Sequence, residues 1–444
     1  MFNRRDLREA LPRARASYFH CPMNPTNFQK TTLPNGLRVL TEHHPHVTSA
    51  TLGVWIEAGS IHETAREQGL AHLLEHMVFK GTRRHSMAKI AAKMDVLGGG
   101  MNAFTEREWV CYHVKVLSDQ VAPALNLLCE FATEPILDAD LLEIEKRVVI
   151  EEIRATEDEP DELIEELFVS HLWAKSRWGR PIAGSPESVE KFGVEDLRSF
   201  MERHYSPSNC VVVAVGDVKH DRIVKLAERG LAHLPGQSRK RPTTPKSPVV
   251  AAHHTVKRDD SECAHLIIGT QAYAYNDPRR FAAWILDSTL TGGYSSRLFQ
   301  EVREKRGLCY GIGGLSASYR AAGYWAVETS VSPQNAARAT DLIARELRRV
   351  KTQGLKPIEL KRAKQMARVN ILLSEESSSA QMGRLARNEM YFGRQISPRE
   401  TLAAIEAVTL EDAQSAAQEM FDPALVNVAA IGPIPEREDL AIEL

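Results

Sequence analysis

Gly69-Leu-Ala-His-Leu-Leu-Glu-His-Met-Val-Phe-Lys-Gly81 carries the strongest pattern in this chain. Leu70, Leu73, Leu74, Met77 and Val78 recur at helical spacing with no interrupting Pro or Gly, so residues 70–80 are expected to form a buried amphipathic helix. His72 and His76 then stack on one face, about one turn apart, near enough to clamp a single cation. Imidazole nitrogen suits zinc. Glu75 stands beside them, where its carboxylate reaches an open position on a metal, not the metal itself, and can take a proton there. Taken alone, two histidines and a glutamate at this spacing are as often an accident as a site. The rest of the chain has to separate the two.

At 444 residues the chain exceeds one ordinary core and implies two to three domains. A net charge of −2 gives no electrostatic reason to expect nucleic acid or an anionic membrane as the main partner. The six cysteines, at 21, 111, 129, 210, 263 and 309, form no close pair, and Cys129 and Cys210 sit in apolar sequence. A reducing, cytoplasmic setting without a disulfide frame follows. Residues 1–25 contain Arg4, Arg5, Arg8, Arg13 and Arg15 but no apolar core segment, and Asp6 and Glu9 argue against a transit peptide; a solvated arm is expected. No apolar run approaches about 20 residues, so no membrane span is expected.

Strand–turn–strand is expected over Lys30–Leu40 with the turn at Asn35-Gly36, then a strand over Ser49–Glu57 leading to the histidine helix. Helices are expected near 89–97, 123–133, 139–155 and 194–203, one long strand over Met101–Val116, and another over Cys210–Val215. Pro235, Pro242, Pro245 and Pro248, set among Gly, Ser, Thr and a basic triplet, mark a linker over 234–253. The segments on either side resemble each other. Val194-Glu-Asp196 precedes Gly216 by the same interval as Leu410-Glu-Asp412 precedes Gly432, and Tyr205-Ser-Pro207 matches Phe421-Asp-Pro423. Leu70–His76 lies over Phe281–Asp287, which turns His72, Glu75 and His76 into Ala283, Leu286 and Asp287. The expected architecture is α+β: two homologous α/β-sandwich domains over 26–233 and 254–444, only the first equipped for chemistry.

Zinc held by two histidines needs a third protein ligand if one position is to stay open. The helix over 139–155 offers Glu143, Glu145, Glu151 and Glu152. Leu141, Glu145, Val148, Val149 and Glu152 fall on one face, facing apolar surroundings where an unpaired carboxylate is costly. Glu152 is therefore assigned as the ligand and Glu145 as its supporting carboxylate. Arg147, Glu151 and Arg154 fall on a solvent face. His43, His44, His46, His253 and His254 lie in turn or linker sequence and are expected to be exposed.

His72-x-x-Glu-His76 with Phe79-Lys-Gly-Thr82, Gly99-Gly-Met-Asn-Ala-Phe-Thr105 and Val149-Ile-Glu-Glu-Ile153 together resemble the M16 zinc peptidases, an inverzincin family that includes pitrilysin, insulin-degrading enzyme and the mitochondrial processing peptidase. The resemblance covers nearly the whole chain after residue 25. It implies one zinc per chain on His72, His76 and Glu152, with Glu145 in support and Glu75 as catalytic base. Asn102, Ala103 and Phe104 would lie on a sheet edge that pairs with the substrate. Arg303 and Tyr310, in the segments Ser295–Phe299 and Arg303–Tyr310, would reach the substrate at the metal. The implied activity is endopeptidase cleavage of unfolded or extended peptides in a closed chamber. Each chain would be half of a clamshell, in a homodimer or a heterodimer with an inactive paralogue. A non-catalytic assembly subunit on the same fold is the alternative; four intact site residues count against it. A closed structural zinc site is a third possibility, but no nearby cysteine has the spacing for a fourth ligand.

Overall fold

The computed structural model describes residues 27–434 apart from 99, 175, 235–252 and 259, together with residue 440. The arm over 1–25, Cys21, Gly99 and nearly all of the expected linker lie outside the described residues. Two mixed sheets organise the rest. The first contains β1 (Phe28–Thr32), β2 (Arg38–His43), β3 (Ser49–Ile56), β4 (Asn102–Thr105), β5 (Val110–Leu117) and β6 (Cys210–Gly216), in the order β1-β2-β6-β3-β5-β4. The second contains β7 (His253–Lys257), β8 (Ala264–Ala272), β9 (Cys309–Ser318), β10 (Gly323–Val331) and β11 (Asn427–Gly432), in the order β7-β11-β8-β10-β9. The β2–β6 and β7–β11 pairs are parallel and every other pair is antiparallel, so the second sheet repeats the first without its β1.

The duplication extends to single residues. Gly216 and Gly432 end β6 and β11 with φ of +126° and +136°. A Cβ at either would strike a backbone carbonyl, Ser49 O at 2.2 Å or Cys263 O at 2.4 Å. Only glycine meets both demands.

The helices are α1 (Leu70–Val78), α2 (Met87–Val96), α3 (Val121–Thr133), α4 (Ala139–Asp158), α5 (Pro160–Leu172), α6 (Pro186–Val189), α7 (Val194–His204) and α8 (His220–Gly230) in the first half. The second half has α9 (Arg280–Leu290), a π-turn (Phe299–Glu304), α10 (Ala336–Gln353), α11 (Pro357–Ser374), α12 (Ser378–Phe392), α13 (Pro398–Ala407) and α14 (Leu410–Met420). One face of the first sheet packs Leu52, Val54 and Val212 against α1, α3 and α7. One face of the second packs Ile268, Trp325 and Val327 against α9, α10 and α14. The other faces are covered by exchange. Ile164, Phe168 and Leu172 of α5 pack on Ile267 and Ile431 of the second sheet, while Met382, Leu385 and Met390 of α12 pack on Trp55, Val211 and Val213 of the first. Each fully buried apolar side chain in these layers contributes about 1.5–3 kcal/mol, and burial on both faces explains why β6 reads Val211-Val-Val-Ala-Val215 instead of alternating.

Polar contacts fasten the exchange. Arg320, in the β9–β10 turn, donates to Glu57 Oε2 at 2.9 Å and through its backbone N–H to Glu108, which also accepts from Tyr391. Lys30 donates to Glu389 at 2.8 Å. Paired in this way, the buried carboxylates avoid the penalty of an uncompensated charge.

Four expectations need correction. Met101–Val116 is not one strand: Glu106–Trp109 breaks it into the β4–β5 hairpin. His253 and His254 belong to β7, which its parallel pairing with β11 fixes, and not to a linker. His43 closes β2, and His44 is half-buried against Gln381 at 3.0 Å; only His46 of those three is exposed. The buried stripe of α4 is Leu142, Glu145, Lys146, Val149, Ile150 and Ile153, with Val148 47 % exposed, so the helix is turned from the expected face. No helix among the described residues is long and apolar enough to cross a membrane.

Candidate metal centre

Leu70, Leu73, Leu74, Met77 and Val78 are all buried in the core, which turns His72, Glu75 and His76 to the opposite side of α1. The start of this helix is held from outside it. Glu63 is fully buried and its two carboxylate oxygens accept from Gly69 N at 3.1 Å and Ala71 N at 2.8 Å. They satisfy backbone donors that the helix leaves open. Burial, working against those bonds, pushes the Glu63 carboxyl up to about 8.

α4 crosses α1 and brings two carboxylates to the histidines. Glu152 Oε2 lies 3.4 Å from His76 Nε2, and Oε1 lies 3.7 Å from His72 Nε2. The rotated stripe leaves the Glu152 side chain at its edge, 50 % exposed, not sunk in apolar surroundings as its expected face implied. Glu145 is the buried one, 4 % exposed. It accepts from His76 Nδ1 at 3.0 Å and from Lys80 Nζ at 2.6 Å. Glu75 turns its Oε2 to the Thr105 hydroxyl on β4, 2.5 Å away.

The donor set suits a divalent cation. The ligand atoms of His72, His76 and Glu152 lie within 4.8 Å of one another, and no other His, Cys, Asp and Glu cluster among the described residues does so. Ligands about 2.0–2.1 Å from a tetrahedral zinc stand about 3.4 Å apart, close to the two Glu152 separations. With Nδ1 of His76 engaged by Glu145, its Nε2 is the nitrogen turned to the cluster. The charge balance agrees. Burial opposes a charge on His76, yet hydrogen bonds to Glu145 and Glu152 lift its pKa to about 9. Burial and the His76 charge push His72 down to about 4. Two carboxylates thus draw one positive charge to the centre. Burial also raises the Glu75 carboxyl, against the Thr105 hydrogen bond.

Of the other expected site residues, Asn102, Ala103 and Phe104 are on β4, the edge strand beside this centre. Ala103 faces the α1 core. Phe104 is turned to the opposite face, its ring 5.5 Å from that of Trp55, and Asn102 Oδ1 accepts from Ala103 N at 2.9 Å. Arg303 and Tyr310 are not brought to the centre within the chain. Arg303 closes the π-turn, 5.5 Å from the Tyr310 ring centroid, and Tyr310 is 91 % exposed at the start of edge strand β9. Among the described residues, no hydrogen bond, ion pair or ring contact joins either of them to His72, Glu75, His76 or Glu152.

Glu63 and Lys80 belong to no sequence pattern that marks a site, because their contacts arise only in the folded chain. Thr105 is legible from the strand period, since it ends the Asn-Ala-Phe-Thr run and faces the side of β4 opposite Phe104.

The fold and the donor cluster define a class: a duplicated α+β protein with a His-x-x-Glu-His helix answered by a glutamate on a second helix. Residues 38–186 match the family described as Insulinase (Peptidase family M16), and residues 191–367 match the Peptidase M16 inactive domain. The chain belongs to the M16 peptidase family. It is 34% identical over 418 residues to an uncharacterized zinc protease of Streptomyces coelicolor, covering 92% of this chain and 90% of the relative. It is 32% identical over 409 residues to an uncharacterized zinc protease of Bacillus subtilis, covering 92% and 99%. The fold is also that of a protease from Helicobacter pylori, with a TM-score of 0.85 at 22% identity over 92% of this chain and all of that one.

Proposed function

We propose that the protein is a zinc endopeptidase that hydrolyses unfolded or extended peptides, with one zinc per chain on His72, His76 and Glu152. One observation supports this: three metal-competent donors converge beside the Glu75 carboxylate and beside β4, which is the edge strand of its sheet among the described residues. When bound, zinc supplies Lewis acidity that polarises a carbonyl and makes water a competent nucleophile at neutral pH. Glu75 takes the proton of the attacking water and delivers it to the leaving amide nitrogen. Thr105 fixes the Glu75 carboxylate for that transfer. Glu145 holds the His76 ring through Nδ1, and Lys80 offsets the Glu145 charge.

The β4 edge offers Asn102 to Phe104 as partners for an added strand, which selects an extended peptide over a folded one. Arg303 and Tyr310 stabilise the tetrahedral oxyanion. Their separation from the centre in their own chain supports a homodimer in which each chain supplies them to its partner's site, closing a chamber around the peptide.

The test is cleavage of an unstructured peptide library by purified protein, with and without chelator, followed by zinc replacement. Chelator-sensitive cleavage that zinc restores, with about one zinc bound per chain, is expected. A zinc-loaded protein that binds peptides and cuts none would overturn the peptidase in favour of a binding or assembly subunit.

A further inference from the structure

The second domain has a cavity of about 430 Å³ on the face of α9. α9 follows β8 as α1 follows β3, and both Ala283 and Asp287, which stand where the first domain has His72 and His76, line it. An alanine in place of an imidazole leaves room that the first domain fills. The opposite wall comes from α12, so the cavity also lies where the second domain meets the helix that covers the first sheet.

Three of its charged groups are already committed, Glu375 among them through its pair with Arg384. Arg384 is paired with Glu375 at 3.0 Å and Glu42 at 3.3 Å. Asp287 Oδ1 accepts from Trp325 Nε1 at 2.8 Å and Thr291 Oγ1 at 2.7 Å. Two arginines are not. Arg280 donates to the Tyr275 carbonyl and lies 4.4 Å from the Tyr275 ring centroid and 4.7 Å from that of Phe281, but no carboxylate is within ion-pair distance of it among the described residues. Arg387 makes no hydrogen bond or ion pair among the described residues, although its charge is felt by Glu106. Neither guanidinium has a nitrogen sealed from solvent without a partner, so the remaining N–H donors of both stay open to a ligand that enters the cavity. Both arginines line the cavity. Arg387 is one turn before Tyr391 on α12, and Tyr391 stacks on Tyr275 at 4.4 Å. Asp287 is two turns along α9 from Arg280, about 10 Å away.

We propose that this cavity is a binding site for a small organic carboxylate with an apolar body, its carboxylate on Arg387 and Arg280 and its body against Phe281 and Trp284. The volume falls near the small end of the range for small-molecule sites, about 300–1,000 Å³. Cations that have no ion-paired carboxylate among the described residues, with aromatic walls beside them, select the anion and its hydrophobic remainder together.

The experiment is calorimetric titration of the full chain with 4-phenylbutyrate, beside 4-phenylbutan-1-ol and 4-phenylbutylamine, each on zinc-loaded and chelator-treated protein. The carboxylate should bind saturably, one per chain, with the same affinity in both metal states, and about tenfold or more tighter than the alcohol. The amine should not bind. Arg387→Gln should weaken the carboxylate about tenfold, and Ala283→Trp, which fills the cavity, should abolish binding. Absence of saturable binding to the unaltered protein, equal binding of the alcohol, or binding that disappears with the zinc would overturn the site. Should either variant fail to fold, a diazirine derivative of phenylbutyrate mapped on the unaltered chain decides the matter: labelling around Tyr275 and Trp284 upholds the site, and labelling elsewhere refutes it.

Discussion

Thr105 ties the proposed base to the strand that would receive the substrate, so it should matter to turnover more than to folding. Its hydroxyl is the polar partner of Glu75 on β4. Thr105→Val keeps the shape and removes the donor; it should lower kcat about tenfold and shift the acid limb of the pH–rate profile while leaving zinc content unchanged, whereas Thr105→Ser should restore the rate and the profile. Wild-type values from the valine variant would remove Thr105 from the site. At this scale the sequence was legible where contacts are local. His72, Glu75 and His76 share little more than one turn of one helix, and spacing alone puts them together. Glu63, Lys80 and Thr105 act through contacts that only the folded chain creates: Thr105 is thirty positions from Glu75, and Glu63 reaches the helix start by bending back over a turn.

Among the elements, α1 depends most on groups outside itself. Glu63 caps it with two buried hydrogen bonds where Gly69 offers no side chain, so Glu63→Ala should lower stability by about 2 kcal/mol and loosen zinc retention; an unchanged denaturation midpoint would contradict the cap. The preceding residue, His62, is pushed down to about 4 by burial, with Arg320 and Arg177 adding to the effect and its 3.2 Å contact with the Gly59 carbonyl opposing it. An unfolded histidine titrates near 6.5. Between about 6.5 and 4 the unfolded chain therefore holds a proton that the folded chain refuses, and stability falls as pH drops through that window, by at most about 3 kcal/mol; above 6.5 nothing is lost. Urea midpoints of wild type and His62→Asn across the window should converge towards acid pH, and a constant gap would contradict it. α4 marks the limit of periodicity. Its apolar and charged residues are mixed closely enough that a stripe through Leu141 and Val148 and one through Leu142 and Ile153 both look buried, and packing on α1 selects the second. Glu152 reaches the histidines from the edge of that stripe.

In the whole molecule, duplication was legible and exchange was not. The paired Gly216 and Gly432 endings record a repeated sheet, and sequence carries that directly. Which sheet α5 or α12 covers cannot be read from an amphipathic helix, because its apolar face fits either. The proposed dimer makes a separable prediction. Glu75→Gln and Tyr310→Ala chains should each be inactive alone; mixed and allowed to reassemble, they should recover up to about a quarter of wild-type activity, since one site in each mixed dimer pairs an intact Glu75 with an intact Tyr310. No recovery in verified mixed dimers would mean that both residues serve one chain. The central claim is that Glu75 acts as the base beside a zinc held by His72, His76 and Glu152. Peptide cleavage by wild type and Glu75→Gln, compared at matched zinc content, tests it most directly. About one zinc per chain in both, with turnover reduced at least about a hundredfold in the variant, is the predicted result; cleavage at the wild-type rate by zinc-loaded Glu75→Gln would contradict it.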